Sequence, residues 1–208
     1  MLLTLLLNRT GLSFKNKEKP VIISLTGPSG IGKGFIKEKL LQMYPFIEEL
    51  AWFTTRQLRP NEHSNRAYVS LFEFNELVES DKIVLVQDLY GHRYGLKKED
   101  LLPSSHLRLT ELHPDNLEAA LEINPEILVI GLTTPDLSLL RERISIIRKT
   151  ETPAQIDERL AVAKVEIETI MRQKSHFAAV IGITKASEVS VFNQVLAVLA
   201  PHLSKKGG

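Results

Sequence analysis

The run Gly27-Pro28-Ser29-Gly30-Ile31-Gly32-Lys33-Gly34-Phe35 holds the residue types that phosphate chemistry requires. Its glycines let successive backbone N–H groups turn inward on phosphate oxygens, where a side chain would obstruct them. A β-branched run, Val21 to Leu25, leads in, and a helix is expected to lead out from Lys33 to about Met43. The positive end of that helix faces the anion, and Lys33 adds a point charge for the β and γ phosphates of ATP. Lys33 is therefore the first candidate catalytic residue. The generic motif follows its lysine with Ser or Thr to touch magnesium. Gly34 and Phe35 carry no hydroxyl, so metal handling falls to water and another oxygen ligand.

A second set of candidates lies in Thr54-Thr55-Arg56-Gln57-Leu58-Arg59-Pro60-Asn61-Glu62. Arg56 and Arg59, three apart, can converge on one phosphate, and the guanidinium fork matches phosphate geometry. Tyr68 and Tyr94 are candidates for phenolic hydrogen bonds to the same group, with plain packing as their alternative. For the two arginines the alternative is a solvated loop.

Taken in order, several blocks resemble the guanylate kinase family over about residues 20 to 200. They are the phosphate loop, the Thr54 to Glu62 segment, Tyr68, Gly91-His92-Arg93-Tyr94-Gly95, and Arg148-Lys149-Thr150-Glu151 with Ile156 and Arg159-Leu160. The resemblance implies an ATP-dependent phosphotransferase with magnesium, acting on small nucleotides, with GMP as the default acceptor. It assigns Arg56, Arg59, Tyr68 and Tyr94 to the acceptor phosphate, and Arg148 and Arg159 to the transferring phosphoryl group. Arg141 and Arg143, on the preceding helix, stand as possible helpers, and surface salt bridging is the better reading of Arg141.

The departures from the family concentrate where it reads guanine. Trp52 replaces a serine, Leu85 a glutamate and Leu96 a hydroxyl residue, while the family's acidic pair aligns near Leu109 and Glu111. Glu111 is the candidate magnesium contact, through water. Losing a carboxylate acceptor leaves guanine's N–H groups unpaired, which predicts weak discrimination between bases. Two alternatives follow: a kinase for another acceptor such as a ribose phosphate, and a non-catalytic protein-binding module. The intact loop with Lys33 counts against the module.

These residues need a frame. Strand patterns at Trp52–Thr55, Ile83–Val86, His106–Leu112, Glu126–Leu132 and Val180–Ile183 alternate with helical ones. Thr134-Pro135-Asp136 predicts a helix over Pro135 to Ile147 with proline in its first turn. Thr152 before Pro153 opens the longest helix, with Ile156, Leu160, Ala163, Ile167 and Ile170 on one stripe. A helix from Ala186 to Leu203 closes the series. The expected fold is α/β, a P-loop NTPase-type parallel sheet flanked by helices. Residues 20–204 form the domain, with an acceptor-binding lobe at about 53–94 and a lid at about 147–158, after a 1–19 extension and before a 205–208 tail.

Composition agrees: 208 residues, 43% hydrophobic and 25% charged, suit one soluble domain. A net charge of +1 leaves no global field for nucleic acid or anionic membrane, so neither is expected as a partner. With no cysteine, disulfides and thiolate chemistry are excluded. Met1 to Leu7 is apolar but too short to span a bilayer. A cytoplasmic monomer or homodimer is expected, with organelle import through the extension as the lesser alternative. The six histidines show no metal-ligand spacing and default to surface or loop roles.

Overall fold

The computed structural model describes residues 22–58, 65–184 and 188–203. Chain order runs β1 (Ile22–Thr26), α1 (Lys33–Met43), β2 (Glu48–Glu49), β3 (Trp52–Thr54), β4 (Arg66–Tyr68), α2 (Leu71–Glu79), β5 (Ile83–Leu89), β6 (His92–Lys97) and α3 (Lys98–Leu101). It continues through β7 (Arg108–Glu111), α4 (Leu117–Ile123), β8 (Leu128–Thr133), α5 (Leu137–Ile147), α6 (Pro153–Arg172), β9 (Ala179–Gly182) and α7 (Glu188–Leu203). Five strands form a sheet in the order β2-β7-β1-β8-β9, and every pairing in it is parallel.

β1 is buried along its whole length, as a central strand covered on both faces must be. Its period of two divides the core. Ile23 and Leu25 pack with α1, α5, the first half of α6 and α7, while Ile22 packs with α4 and Phe177. The expected parallel sheet with helices on both faces is what forms. Among the described residues, no helix is long and apolar enough to cross a membrane.

The lobe is a separate sheet of order β4-β3-β6-β5, in which β6 pairs antiparallel with both neighbours. Trp52–Thr54, read from sequence as a short strand at the start of the lobe, is in this second sheet. The edge of the main sheet falls to the two-residue β2, which charge and brevity hide from any periodicity. The lobe buries Phe74 and Ile83 around Gly95, and it also packs on the main sheet. Trp52, Leu85 and Leu96 share one apolar cluster with Ile22, Leu112 and Val129 of the main sheet.

Two helix starts bear on the site. Thr152 caps α6 by accepting from the Gln155 N–H, and the Gln155 side chain reaches back to the Thr152 N–H, a reciprocal capping box ahead of Pro153. α5 begins at Leu137, two residues after the expected start at Pro135. Asp136 is its cap, with Oδ1 accepting from the Ser138 N–H at 2.9 Å, and Pro135 lies outside the helix.

Candidate active site

The phosphate loop crosses from β1 to α1 in close quarters with its neighbours. A Cβ on Gly27 would meet the Leu132 carbonyl oxygen at 2.5 Å. Gly30 has φ +79°, and a Cβ there would press on Ile144 at 2.9 Å. Arg143 braces the loop, donating from Nη1 to the Ile31 carbonyl at 3.1 Å. Arg141 turns outward and pairs with Asp157, the surface salt bridge expected of it. The Lys33 ammonium folds back over its own loop, donating to the Gly27 carbonyl at 2.5 Å and to Pro28 at 3.1 Å.

A cleft of about 220 Å³ opens between this loop and the lobe. Gly27, Ser29 and Lys33 line it from the core side, Arg56 and Tyr94 from the lobe, and Arg148 and Arg159 from the α5–α6 junction. Glu111 reaches it from the end of β7. Residues scattered along the chain as candidates thus meet in one place. Arg56 is nearly buried at 6% exposure, and its Nη1 donates to the Gln57 carbonyl at 2.8 Å. Arg159, 7% exposed, is gripped by Glu151 through two parallel hydrogen bonds of 2.6 Å. The Tyr90 ring lies 3.9 Å from the same guanidinium.

Other candidate residues stand apart from the cleft lining. Tyr68 is not among the residues lining the cleft, and its ring lies 5.9 Å from the Arg56 guanidinium. The Phe35 side chain leaves the phosphate loop for the core, meeting Phe192 edge-on with centroids 6.5 Å apart. Pro28, Gly30, Ile31, Gly32 and Gly34 contribute loop backbone rather than cleft-lining side chains. Arg59 lies outside the described residues.

Leu85 and Leu96 do not face the cleft at all. Leu96 is fully buried and Leu85 is 7% exposed, both in the apolar cluster beneath the lobe. A bulge is responsible. Val84 pairs with Leu96, but the next pair along is Gln87 with Tyr94, so β5 carries one residue more than β6. Leu85, at φ +54°, takes the kink, and its carbonyl accepts from Asn116 Nδ2 at 2.8 Å. That bond orients the Asn116 amide, whose nitrogen also lies 3.4 Å from Gln87 Oε1. Gln87 lines the cleft. No alternation rule could find it, because the bulge shifts the register where a leucine, not a glycine, adopts positive φ.

Further polar contacts in the cleft depend on the fold. Trp52 Nε1 donates to Thr110 Oγ1 at 3.1 Å, tying β3 of the lobe to β7 of the core. His113 lines the cleft: its Nδ1 accepts from the Asp115 N–H at 3.3 Å, and its Nε2 lies 2.9 Å from Glu166 Oε1. Lys37, one turn beyond Lys33, places its ammonium 2.7 Å from Glu49 Oε1 and 3.1 Å from Glu111 Oε1. Burial pushes the Glu111 carboxyl up, but Lys37 and Lys33 more than offset this and hold it below the usual carboxylate value. Burial likewise opposes the Lys37 charge, and Glu111 and Glu49 outweigh it, raising that ammonium's pKa.

This donor set does not suit a protein-held magnesium ion. Gly34 and Phe35 offer no side-chain oxygen, Glu111 is already paired with Lys37, and no group of three or more His, Asp or Glu among the described residues is arranged for a metal. Magnesium wants near-octahedral oxygen ligands.

No protein-family model matches the chain. It is 30% identical to a guanylate kinase of Lactobacillus acidophilus over 91% of this chain and 93% of that one. The chain belongs to the guanylate kinase family. A guanylate kinase of Lactobacillus delbrueckii subsp. bulgaricus is 32% identical over 90% of this chain and 92% of its own. The fold agrees: the crystal structure of guanylate kinase from Anaplasma phagocytophilum superposes with a TM-score of 0.65 at 19% identity, covering 90% of this chain and 88% of that one. A gluconokinase from Sinorhizobium meliloti shares the fold more distantly, at a TM-score of 0.51. As a guanylate kinase family member, the chain is a phosphotransferase with ATP as its phosphoryl donor.

Proposed function

We propose that this protein transfers the γ-phosphoryl group of ATP to the phosphate of GMP. One observation carries the reading: Lys33 of the phosphate loop and Arg56 with Tyr94 of the lobe face each other across one cleft, with Arg148 and Arg159 beside them. Donor phosphates fit the core wall and the acceptor phosphate fits the lobe wall. The arginines between them suit a transfer whose demands are position and charge. Lys33 and the loop backbone from Gly27 to Phe35 hold ATP; Arg56, with Arg59 from the adjoining segment and Tyr94, holds the acceptor phosphate. Tyr68 acts by packing under Arg56. Magnesium arrives with ATP, held by the phosphates. The enzyme is cytoplasmic, a monomer or homodimer, working on free nucleotides without nucleic-acid or membrane partners. We take the domain as residues 20–204, with the lobe at about 53–94 and the lid at about 147–158.

The test is ADP release from Mg-ATP with GMP, AMP, CMP, UMP and ribose phosphates side by side. GMP should be the best acceptor, with a margin over AMP below ~10⁴-fold, because Gln87 offers an amide rather than a carboxylate to the base. Phosphorylation of a ribose phosphate in preference to every nucleotide would overturn the assignment.

A further inference from the structure

α1 departs from its expected chemistry at two points that explain each other. Directly after Lys33 it carries Gly34 and Phe35, neither with a side-chain oxygen to offer a metal, and the Phe35 ring is spent on Phe192. One turn later, on the face shared with Lys33, it carries Lys37, whose ammonium stands between two carboxylates. Glu111 is spanned by the two lysines: Oε1 lies 3.1 Å from Lys37 Nζ, and Oε2 lies 4.0 Å from Lys33 Nζ. The partners come from three elements, α1, β2 and β7. Glu49 and Glu111 line the cleft, and their side chains are only 19% and 28% exposed, so the ammonium is held where bulk water competes poorly.

We propose that Lys37 is a built-in cation that occupies the place of a protein-bound magnesium ion, so that the protein itself supplies no metal ligand. An ammonium is a compact point charge; with Glu49 and Glu111 beside it the trio carries a net −1, which Lys33, 4.0 Å from Glu111, brings to zero. The site thereby keeps a fixed positive charge beside Lys33 whether or not nucleotide is present. Lys37 is a positioning residue: it touches Glu49 and Glu111, and through Glu111 it sets the surroundings of Lys33.

The inference is tested on the whole chain without nucleotide, so its outcome is independent of which acceptor the enzyme phosphorylates. Mn²⁺ is titrated into wild type, Lys37→Met and the double variant Lys37→Met/Glu111→Gln, and free Mn²⁺ is followed by electron paramagnetic resonance. Removing the ammonium leaves two facing carboxylates, so Lys37→Met should bind Mn²⁺ about tenfold or more tighter than wild type, and the double variant should lose that gain. Wild-type binding as tight as that of Lys37→Met would overturn the proposal. So would failure of both proteins to bind, because the freed carboxylates would then form no cation site. Should Lys37→Met not fold, wild type against Glu111→Gln decides alone: Mn²⁺ binding by the wild type that Glu111→Gln abolishes sinks the idea, and its absence supports it.

Discussion

At the scale of single residues, the site is a set of charges held by partners other than substrate. Lys33 rests on the carbonyls of its own loop, Arg159 on Glu151, and Lys37 on two glutamates. Each is therefore oriented before any phosphate arrives, which is the preorganisation that electrostatic catalysis rewards. Lys33→Ala removes the charge aimed at the donor phosphates while leaving no apolar cavity. Its kcat should fall on the order of 10²–10³-fold. The thermal midpoint should drop by only about 2–4 °C, the loss of roughly 1 kcal/mol of hydrogen bonding in a domain of this size. Steady-state kinetics beside a melting curve checks both, and an unfolded variant would mean that Lys33 is structural instead.

Among elements, the β5–β6 hairpin and α6 act as a pair. The hairpin turns through Tyr90 at φ +54° and Gly91 at φ +76°, a tight turn that needs positive φ twice. A tyrosine is unfavourable there, yet its ring is what meets the Arg159 guanidinium at 3.9 Å. The strain is retained where it fixes a lobe element against a core arginine. Tyr90→Asn keeps the turn, because asparagine accepts positive φ, and deletes the stack. We expect kcat to fall about two- to fivefold, the equivalent of an exposed cation–π contact. KM for ATP should hardly move, and Tyr90→Phe should restore the rate. An Asn variant as fast as wild type would reduce Tyr90 to a turn residue. α6 contributes in kind: its capping box sets the helix start, and the start sets where Arg159 meets Glu151.

Over the whole molecule, lobe and core are packed against each other. Trp52, Leu85 and Leu96 share a cluster with strands of the main sheet, and the Trp52–Thr110 hydrogen bond crosses the same boundary. Leu96→Ala, at a fully buried position, should cost about 2–5 kcal/mol. The loss should appear in a single transition. Trp52 is the chain's one tryptophan, so its fluorescence reports the lobe while far-UV circular dichroism reports the core. Coincident unfolding curves are expected. A lobe transition preceding the core would show that the cluster is divided.

Much of this was legible in the chain alone. Local chemistry determined the phosphate loop, because a glycine run between a β-branched strand and a helix admits few other geometries. Hydrophobic period determined the parallel core and the inward stripe of α6, and the order of the arginine blocks determined the family. Tertiary structure decided the rest, for one reason: those features depend on pairings between distant segments. The bulge at Leu85 exists only through pairing with β6 and the Asn116 contact, and it sends Leu85 into the core and Gln87 into the cleft. Lys37 carries no motif of its own, and β2 and β7 bring Glu49 and Glu111 to it. His113 became part of the cleft wall only when α6 set Glu166 against it. A side chain's type can be read along the chain, but the partner that decides its charge, direction and use is supplied by the fold.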